Sequence, residues 1–183
     1  MLTMKTRHTL IGLLAIIAWL PLLIRLYAMF PVFLNTGIEM EISKMASDMR
    51  DAIAASYGSL EAYIGDQKQK NWLVWAITLV VFVGGLASGF FAREKLKGWK
   101  FVVIVMSGVF VVAYLFELFQ TTGGASIGSV VDIKIALANA TLKSNGQNAF
   151  IAFIVTEMLF LAAFIVHCLV VVLTAAEIRS SGP

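Results

Sequence analysis

The longest apolar stretch of the chain, AFIAFIVTEMLFLAAFIVHCLVVVLTA, covers residues 149–175. It contains one carboxylate, Glu157, and one imidazole, His167. As an α-helix the stretch would be about 40 Å long, which exceeds the roughly 30 Å hydrocarbon core of a bilayer. Because lipid offers no partner to a backbone amide, an apolar run of this length is typical of a transmembrane helix.

The composition of the whole chain agrees with this interpretation. Hydrophobic residues make up 60% of the sequence and charged residues only 14%, and the mean hydropathy is +0.88. Soluble domains are about half apolar and about a quarter charged, so the composition predicts an integral membrane protein. The net charge of +3 is better explained as an orientation signal than as a nucleic-acid patch. With Cys168 as the single cysteine, no disulfide within the chain and no cysteine-based metal site can form.

Three further apolar runs precede the last one. They cover residues 9–30, 71–92 and 101–119. Pro21 should kink the first run. That run follows a short basic segment, as in a signal peptide, but it is too long and lacks a small-residue cleavage site, so we expect a retained helix. The sequence therefore predicts an all-α integral membrane fold, a four-transmembrane-helix bundle forming a single membrane domain over residues 1–183.

The first long connection has the pattern of an amphipathic helix over about 37–64. Thr36 and Glu39 have the spacing of a capping box at its start, Gly58 should weaken the helix, and Gly65 should end it. The polar face mixes both charge signs, which favours contact with protein over binding to anionic lipid.

The second long connection, residues 120–148, is predicted to be a loop. It begins with a segment rich in Gly, Ser and Thr over 121–129. A short helix over 130–142 should follow, and Ser144, Asn145 and Gly146 should turn the chain into the last span.

The basic residues predict the orientation. Four spans place both termini on one side, together with the short turn of residues 93–100. The basic residues on this side are Lys5, Arg7, Arg93, Lys95, Lys97, Lys100 and Arg179. The opposite side has fewer basic residues per unit length, so both termini are expected to face the cytoplasm, in a bacterial inner membrane or a plasma membrane. The two long connections would then be outer.

Three charged residues fall in the outer half of the predicted spans. They are Arg25, Glu117 and Glu157. A lone ionised carboxylate at the depth of Glu157 costs several kcal/mol, so we expect it to be neutral or paired. The hypothesis is an Arg25–Glu157 pair with Glu117 as a second acceptor. The alternatives are that Arg25 extends to the headgroups, that Glu117 lies in the wet interface, and that Glu157 serves a proton or cation pathway or contacts a partner subunit.

Two other features concern helix packing. His167 is the only histidine in a span, whereas haem in four-helix membrane cytochromes needs paired axial ligands on facing helices. We therefore expect His167 to make a hydrogen bond between helices and expect no cofactor or metal. Small residues at helical spacing near the end of the second span predict a close helix–helix contact. They are Gly84, Gly85, Ser88 and Gly89.

These features favour a non-enzymatic four-helix membrane subunit. We expect it to assemble into a larger complex through helix packing and its outer amphipathic helix, with the lipid bilayer, further copies of the chain or other membrane subunits as partners. The alternative is an oligomeric channel or ion-coupled transport protein that uses the Arg25, Glu117 and Glu157 cluster. No spacing of nucleophile, base or metal ligand supports an enzyme.

Overall fold

The computed structural model describes the backbone of residues 4–122 and 127–180, with side chains described for 6–119, 146–148 and 150–180. All of the elements in these ranges are α-helices, and no strand occurs among them. The helices are α1 Met4–Trp19, α2 Leu22–Ala28, α3 Pro31–Lys44, α4 Ser47–Tyr57, α5 Leu60–Arg93, α6 Trp99–Thr122 and α7 Ile127–Ser180. Four helical stretches are long and apolar enough to span a membrane, as predicted: Thr6–Lys44, Leu60–Arg93, Trp99–Phe119 and Gly146–Ser180.

The first of these stretches is interrupted where proline removes a backbone donor. α1 ends at Trp19 and α2 begins at Leu22, so the predicted kink at Pro21 is confirmed. The amide of Leu20 donates to the carbonyl of Ile17 at 3.2 Å, which tightens the last turn before the break. Pro31 occupies the first turn of α3, where its missing N–H costs no helical hydrogen bond.

The first long connection is not the single helix expected over about 37–64. It comprises most of α3, all of α4 and the start of α5. α4 ends at Tyr57, and Gly58 directly after it has a left-handed φ of 81°, a conformation that glycine adopts at little cost. The hydroxyl of Ser59 then accepts the amide N–H of Ala62 at 3.0 Å, which caps the start of α5.

The capping box expected at Thr36 is wrong. α3 begins five residues earlier than that site, at Pro31, and the Thr36 hydroxyl donates to the carbonyl of Val32 at 2.8 Å inside the helix. Gly65, expected to end a helix, lies within α5. Its neighbours continue the helical hydrogen bonds, so a single glycine costs the helix only about 1 kcal/mol.

In the second connection, residues 120–148, the helix predicted over 130–142 is present as part of α7, but the helical structure extends further than the sequence predicted on both sides of it. α6 continues to Thr122, and α7 begins at Ile127 and runs to Ser180 with one interruption. That interruption is Gly146, with φ 81° and ψ −179°, in the turn that the sequence predicted. Residues 123–126 of the predicted loop, and the side chains of the predicted 130–142 helix, lie outside the described residues.

The chain forms two compact units, one of residues 1–22 with 83–183 and one of residues 23–82. In the first unit, α7 packs against α6 and α1. Its buried residues recur at steps of three and four, the spacing of a helix that contributes one seam to a bundle. They are Phe160, Ala163, His167, Val170 and Thr174.

In the second unit, α3 lies antiparallel to the first part of α5. The side-chain amide of Asn71 donates to Asn35 Oδ1 at 3.0 Å, and Lys68 forms an ion pair with Glu39. The same unit contains a hydrogen bond of 3.0 Å from the indole Nε1 of Trp75 to the carbonyl of Leu26. That carbonyl lies in the last turn of α2, where helix carbonyls lack intrahelical partners.

Candidate functional site

His167 lies at the centre of the first unit. Its side chain is 0% exposed, and its Nδ1 lies 3.2 Å from the hydroxyl oxygen of Ser107 on α6. The imidazole also contacts the rings of Trp19 on α1 and Phe110 on α6, with centroid distances of 4.9 Å and 4.3 Å. The polar contact between helices that the sequence predicted for His167 is therefore present, between α6 and α7.

Small residues on α5 allow Trp19 to enter this centre. A Cβ atom built on Gly85 would lie 2.2 Å from indole carbons of Trp19, so the ring rests directly on the glycine backbone. One turn further along α5, Gly89 approaches α1: a Cβ on Gly12 of α1 would lie 2.6 Å from the carbonyl oxygen of Gly89. α1 and α5 therefore cross in backbone contact, a close approach of the kind that small residues permit.

The four small residues singled out in the sequence contact different neighbours. Gly85 and Gly89 adjoin α1, whereas a Cβ on Gly84 would meet the terminal methyl of Met106 on α6 at 3.1 Å. Ser88 is fully buried, and its hydroxyl donates to the Gly85 carbonyl at 2.6 Å. α5 thus packs against two helices at once.

Two polar atoms in this centre have no hydrogen bond within the part of the chain that the structure describes. They are Trp19 Nε1 and His167 Nε2. The backbone of Ala18 lies beside the imidazole without forming a hydrogen bond of good geometry. Each such atom costs about 1–3 kcal/mol, so tight ring packing has to offset this cost. No group of three His, Cys, Asp or Glu side chains in the described ranges is placed to hold a metal ion.

Glu117 and Glu157 lie towards the end of the α6–α7 pair that is opposite to Trp99 and Ser180. The two helices are antiparallel, since Phe110 contacts His167 and, one turn further along α6, Tyr114 contacts Phe164 at 5.1 Å. Glu117 is one turn beyond Tyr114, and Tyr114 lies within electrostatic range of both carboxylates. Sequence reasoning did not single out Tyr114, although its position three residues before Glu117 placed both on one helical face.

Arg25 belongs to the other compact unit, residues 23–82. Arg25, Glu117 and Glu157 each have an interaction partner. The proposed pairing of Arg25 with Glu157 stays a prediction.

At the other end of the first unit, three segments distant in sequence meet. Arg7 near the start of α1 lies 3.9 Å from the carboxylate of Glu177 on α7. Lys100, at the start of α6, donates to the backbone carbonyl of Glu177 at 3.1 Å. The start of α1, the α5–α6 turn and the last turns of α7 therefore share one end, which we call the basic end.

Comparison with known proteins gave no relative. No protein-family model matches the chain, and no curated protein or solved structure is significantly similar to it.

Proposed function

We propose that the chain is a multi-pass integral membrane protein with four spans. Large apolar side chains are exposed along all four long helical stretches. Examples are Ile17 at 57%, Val80 at 71%, Val112 at 66% and Val172 at 63%. An apolar surface of this extent is unfavourable in water and favourable against lipid tails.

The proposed orientation has both termini in the cytoplasm. The basic end gathers Arg7, Lys100 and Glu177, and the short turn beside it adds Arg93, Lys95 and Lys97. Positive charge next to the ends of spans is retained on the cytoplasmic side. Glu117 and Glu157 would then be in the outer half.

We further propose that the protein is a non-enzymatic subunit of a larger membrane complex. The observation that supports this most directly is α4, in which no residue is buried. Met49, Ile53 and Tyr57 recur on it at four-residue steps and so share one helical face, with Met49 60% and Tyr57 46% exposed. An apolar face presented by a polar segment is suited to docking against another subunit.

The helix that follows α4, α5, is long enough to extend beyond the bilayer. α5 has 34 residues, about 51 Å, against a hydrocarbon core of about 30 Å. Its first part bears the polar contacts with α3, Lys68 with Glu39 and Asn71 with Asn35. Such contacts are suited to an aqueous environment, so α3, α4 and the start of α5 would form the outer docking element.

The test compares two lysine substitutions on opposite faces of α4. Met49→Lys places a charge on the apolar face, and Ala55→Lys places the same charge on the other side of the helix. The protein is extracted gently from its own membrane, and co-purifying subunits are identified by native mass spectrometry. We expect Met49→Lys to release unlike subunits and Ala55→Lys to retain them; equal retention by both variants would contradict the docking role of this face.

A second function, an oligomeric channel or ion-coupled transporter, is favoured by one observation. Glu117 and Glu157 both lie within electrostatic range of Tyr114 in the first unit, which brings two carboxylates to one region of the spans. Intramembrane carboxylates of this kind serve proton or cation pathways. Proteoliposomes would then show a cation or proton flux that Glu157→Gln abolishes, and a closed homo-oligomer instead of unlike subunits would be isolated.

A further inference from the structure

A surface groove runs along the last two turns of α7. It is open along its outer side, has a volume of about 590 Å³ and is lined by Val172, Ala175, Ala176, Arg179 and Ser180. These positions fall on the side of α7 opposite the buried seam that ends at Val170 and Thr174. The groove is apolar along the helix and polar at its last turn.

The charges near the groove leave Arg179 available for an anion. The carboxylate of Glu177 pairs with Arg7, and its backbone carbonyl accepts hydrogen bonds from Lys100 and from the Ser180 hydroxyl. Arg179 is exposed and makes no ion pair or hydrogen bond with the described residues. Among the described residues, the basic end therefore presents a guanidinium without a counter-charge next to an apolar groove.

We propose that this groove binds one anionic phospholipid. The phosphate pairs with Arg179, whose planar fork matches two phosphate oxygens, and the first methylenes of an acyl chain lie on Ala175, Ala176 and Val172. From Arg179 to Val172 the helix rises about 10 Å, so the headgroup lies at the membrane surface and the chain points towards its interior. This proposal rests on the membrane location proposed above and places the lipid in the cytoplasmic leaflet.

The test uses the detergent-purified full chain and an equimolar mixture of phosphatidylglycerol and phosphatidylcholine with identical acyl chains. Native mass spectrometry counts the lipid adducts. We expect phosphatidylglycerol to dominate, and Arg179→Gln to lower its excess about fivefold, since one basic side chain near a lipid surface contributes about 1 kcal/mol. Ala176→Leu should fill the groove and lower the adducts of both lipids.

The matched control is Arg93→Gln, because Arg93 lies at the other side of the short turn and already adjoins Glu94 at 3.6 Å. It should keep the preference for phosphatidylglycerol. An equal loss in Arg93→Gln would show unspecific attraction to basic charge and overturn the proposal. Displacement of the lipid by millimolar inorganic phosphate would also overturn the proposal. The same holds if a polypeptide, instead of a lipid, is crosslinked to the groove.

Carbonate extraction of native membranes, run on the same variants, separates this proposal from the membrane location. Protein that resists extraction but shows no lipid preference would overturn the groove proposal alone. Protein released by carbonate would overturn the membrane location itself.

Discussion

Substitution of alanine at Gly85 should destabilise the bundle, whereas the same substitution at the neighbouring Gly84 should not. The added methyl at Gly85 would lie 2.2 Å from ring carbons of Trp19, against ordinary contacts of 3.4–4 Å. The indole is 0% exposed and packs against the rings of Phe110 and His167, so it can shift only by displacing them. At Gly84 the methyl would meet the flexible end of Met106 at 3.1 Å, which can rotate away.

The magnitudes follow from two opposing terms. Overpacking a well-packed core costs about 1–3 kcal/mol, and the clash at Gly85 belongs at the upper end of that range. Replacing glycine by alanine inside a helix stabilises the folded state by about 0.5–1 kcal/mol. The net loss for Gly85→Ala is therefore about 2 kcal/mol, or roughly 4–8 °C in melting temperature for a chain of this size. Gly84→Ala should remain within about 1 kcal/mol of the unmodified protein.

Thermal unfolding in a mild detergent, followed by circular dichroism, measures both changes. A Trp19→Leu background supplies the control, because without the indole the Gly85→Ala penalty should disappear, with a coupling of at least about 1 kcal/mol between the two sites. Equal melting temperatures for the two glycine variants, or an unchanged Gly85 penalty without the indole, would refute the packing described for α1 and α5.

Three other predictions concern the polar residues and the break in α7. Ser107→Ala alone should lower the free energy of unfolding by about 1 kcal/mol, whereas adding His167→Phe should restore most of that loss, since both partners of the hydrogen bond are then apolar. Chemical denaturation measures both variants. A double variant less stable than Ser107→Ala would contradict this expectation. Gly146→Ala should cost about 1–3 kcal/mol because its φ of 81° with ψ of −179° is essentially restricted to glycine; an unchanged melting temperature would show that the break is not fixed. Arg25→Leu and Glu157→Gln should be non-additive in melting temperature if the two side chains pair, and additive losses would remove the pairing hypothesis.

The number of apolar stretches and their helical structure could be predicted from the sequence, because the length and apolar composition of a stretch are enough to indicate a helix that fits a lipid bilayer. The positions at which the helices begin and end could not be predicted in this way. α5 begins at Leu60 and not at residue 71, because polar residues such as Asp66, Lys68 and Lys70 continue a helix as readily as apolar ones do. The spacing of Thr36 and Glu39 resembled a helix start, but Pro31 had already begun α3.

The centre of the first unit was predicted only in part. His167 was expected to hydrogen-bond between helices, but its contact with Trp19 depends on which face of α1 is inward, which an apolar helix does not reveal by hydrophobic periodicity. One signal was present in the sequence. Phe160, Ala163, His167, Val170 and Thr174 are spaced by three and four, the pattern of a packing seam, and this pattern would have placed His167 in the core.

The labelling of single cysteines tests whether the protein crosses the membrane four times with both termini in the cytoplasm. In a Cys168→Ala background, Ser59→Cys, Asn145→Cys and Ser181→Cys are each treated in intact cells with a membrane-impermeant maleimide. We expect the first two to be labelled, and Ser181→Cys to be labelled only after the cells are permeabilised. Labelling of Ser181→Cys in intact cells, with the other two protected, would contradict it.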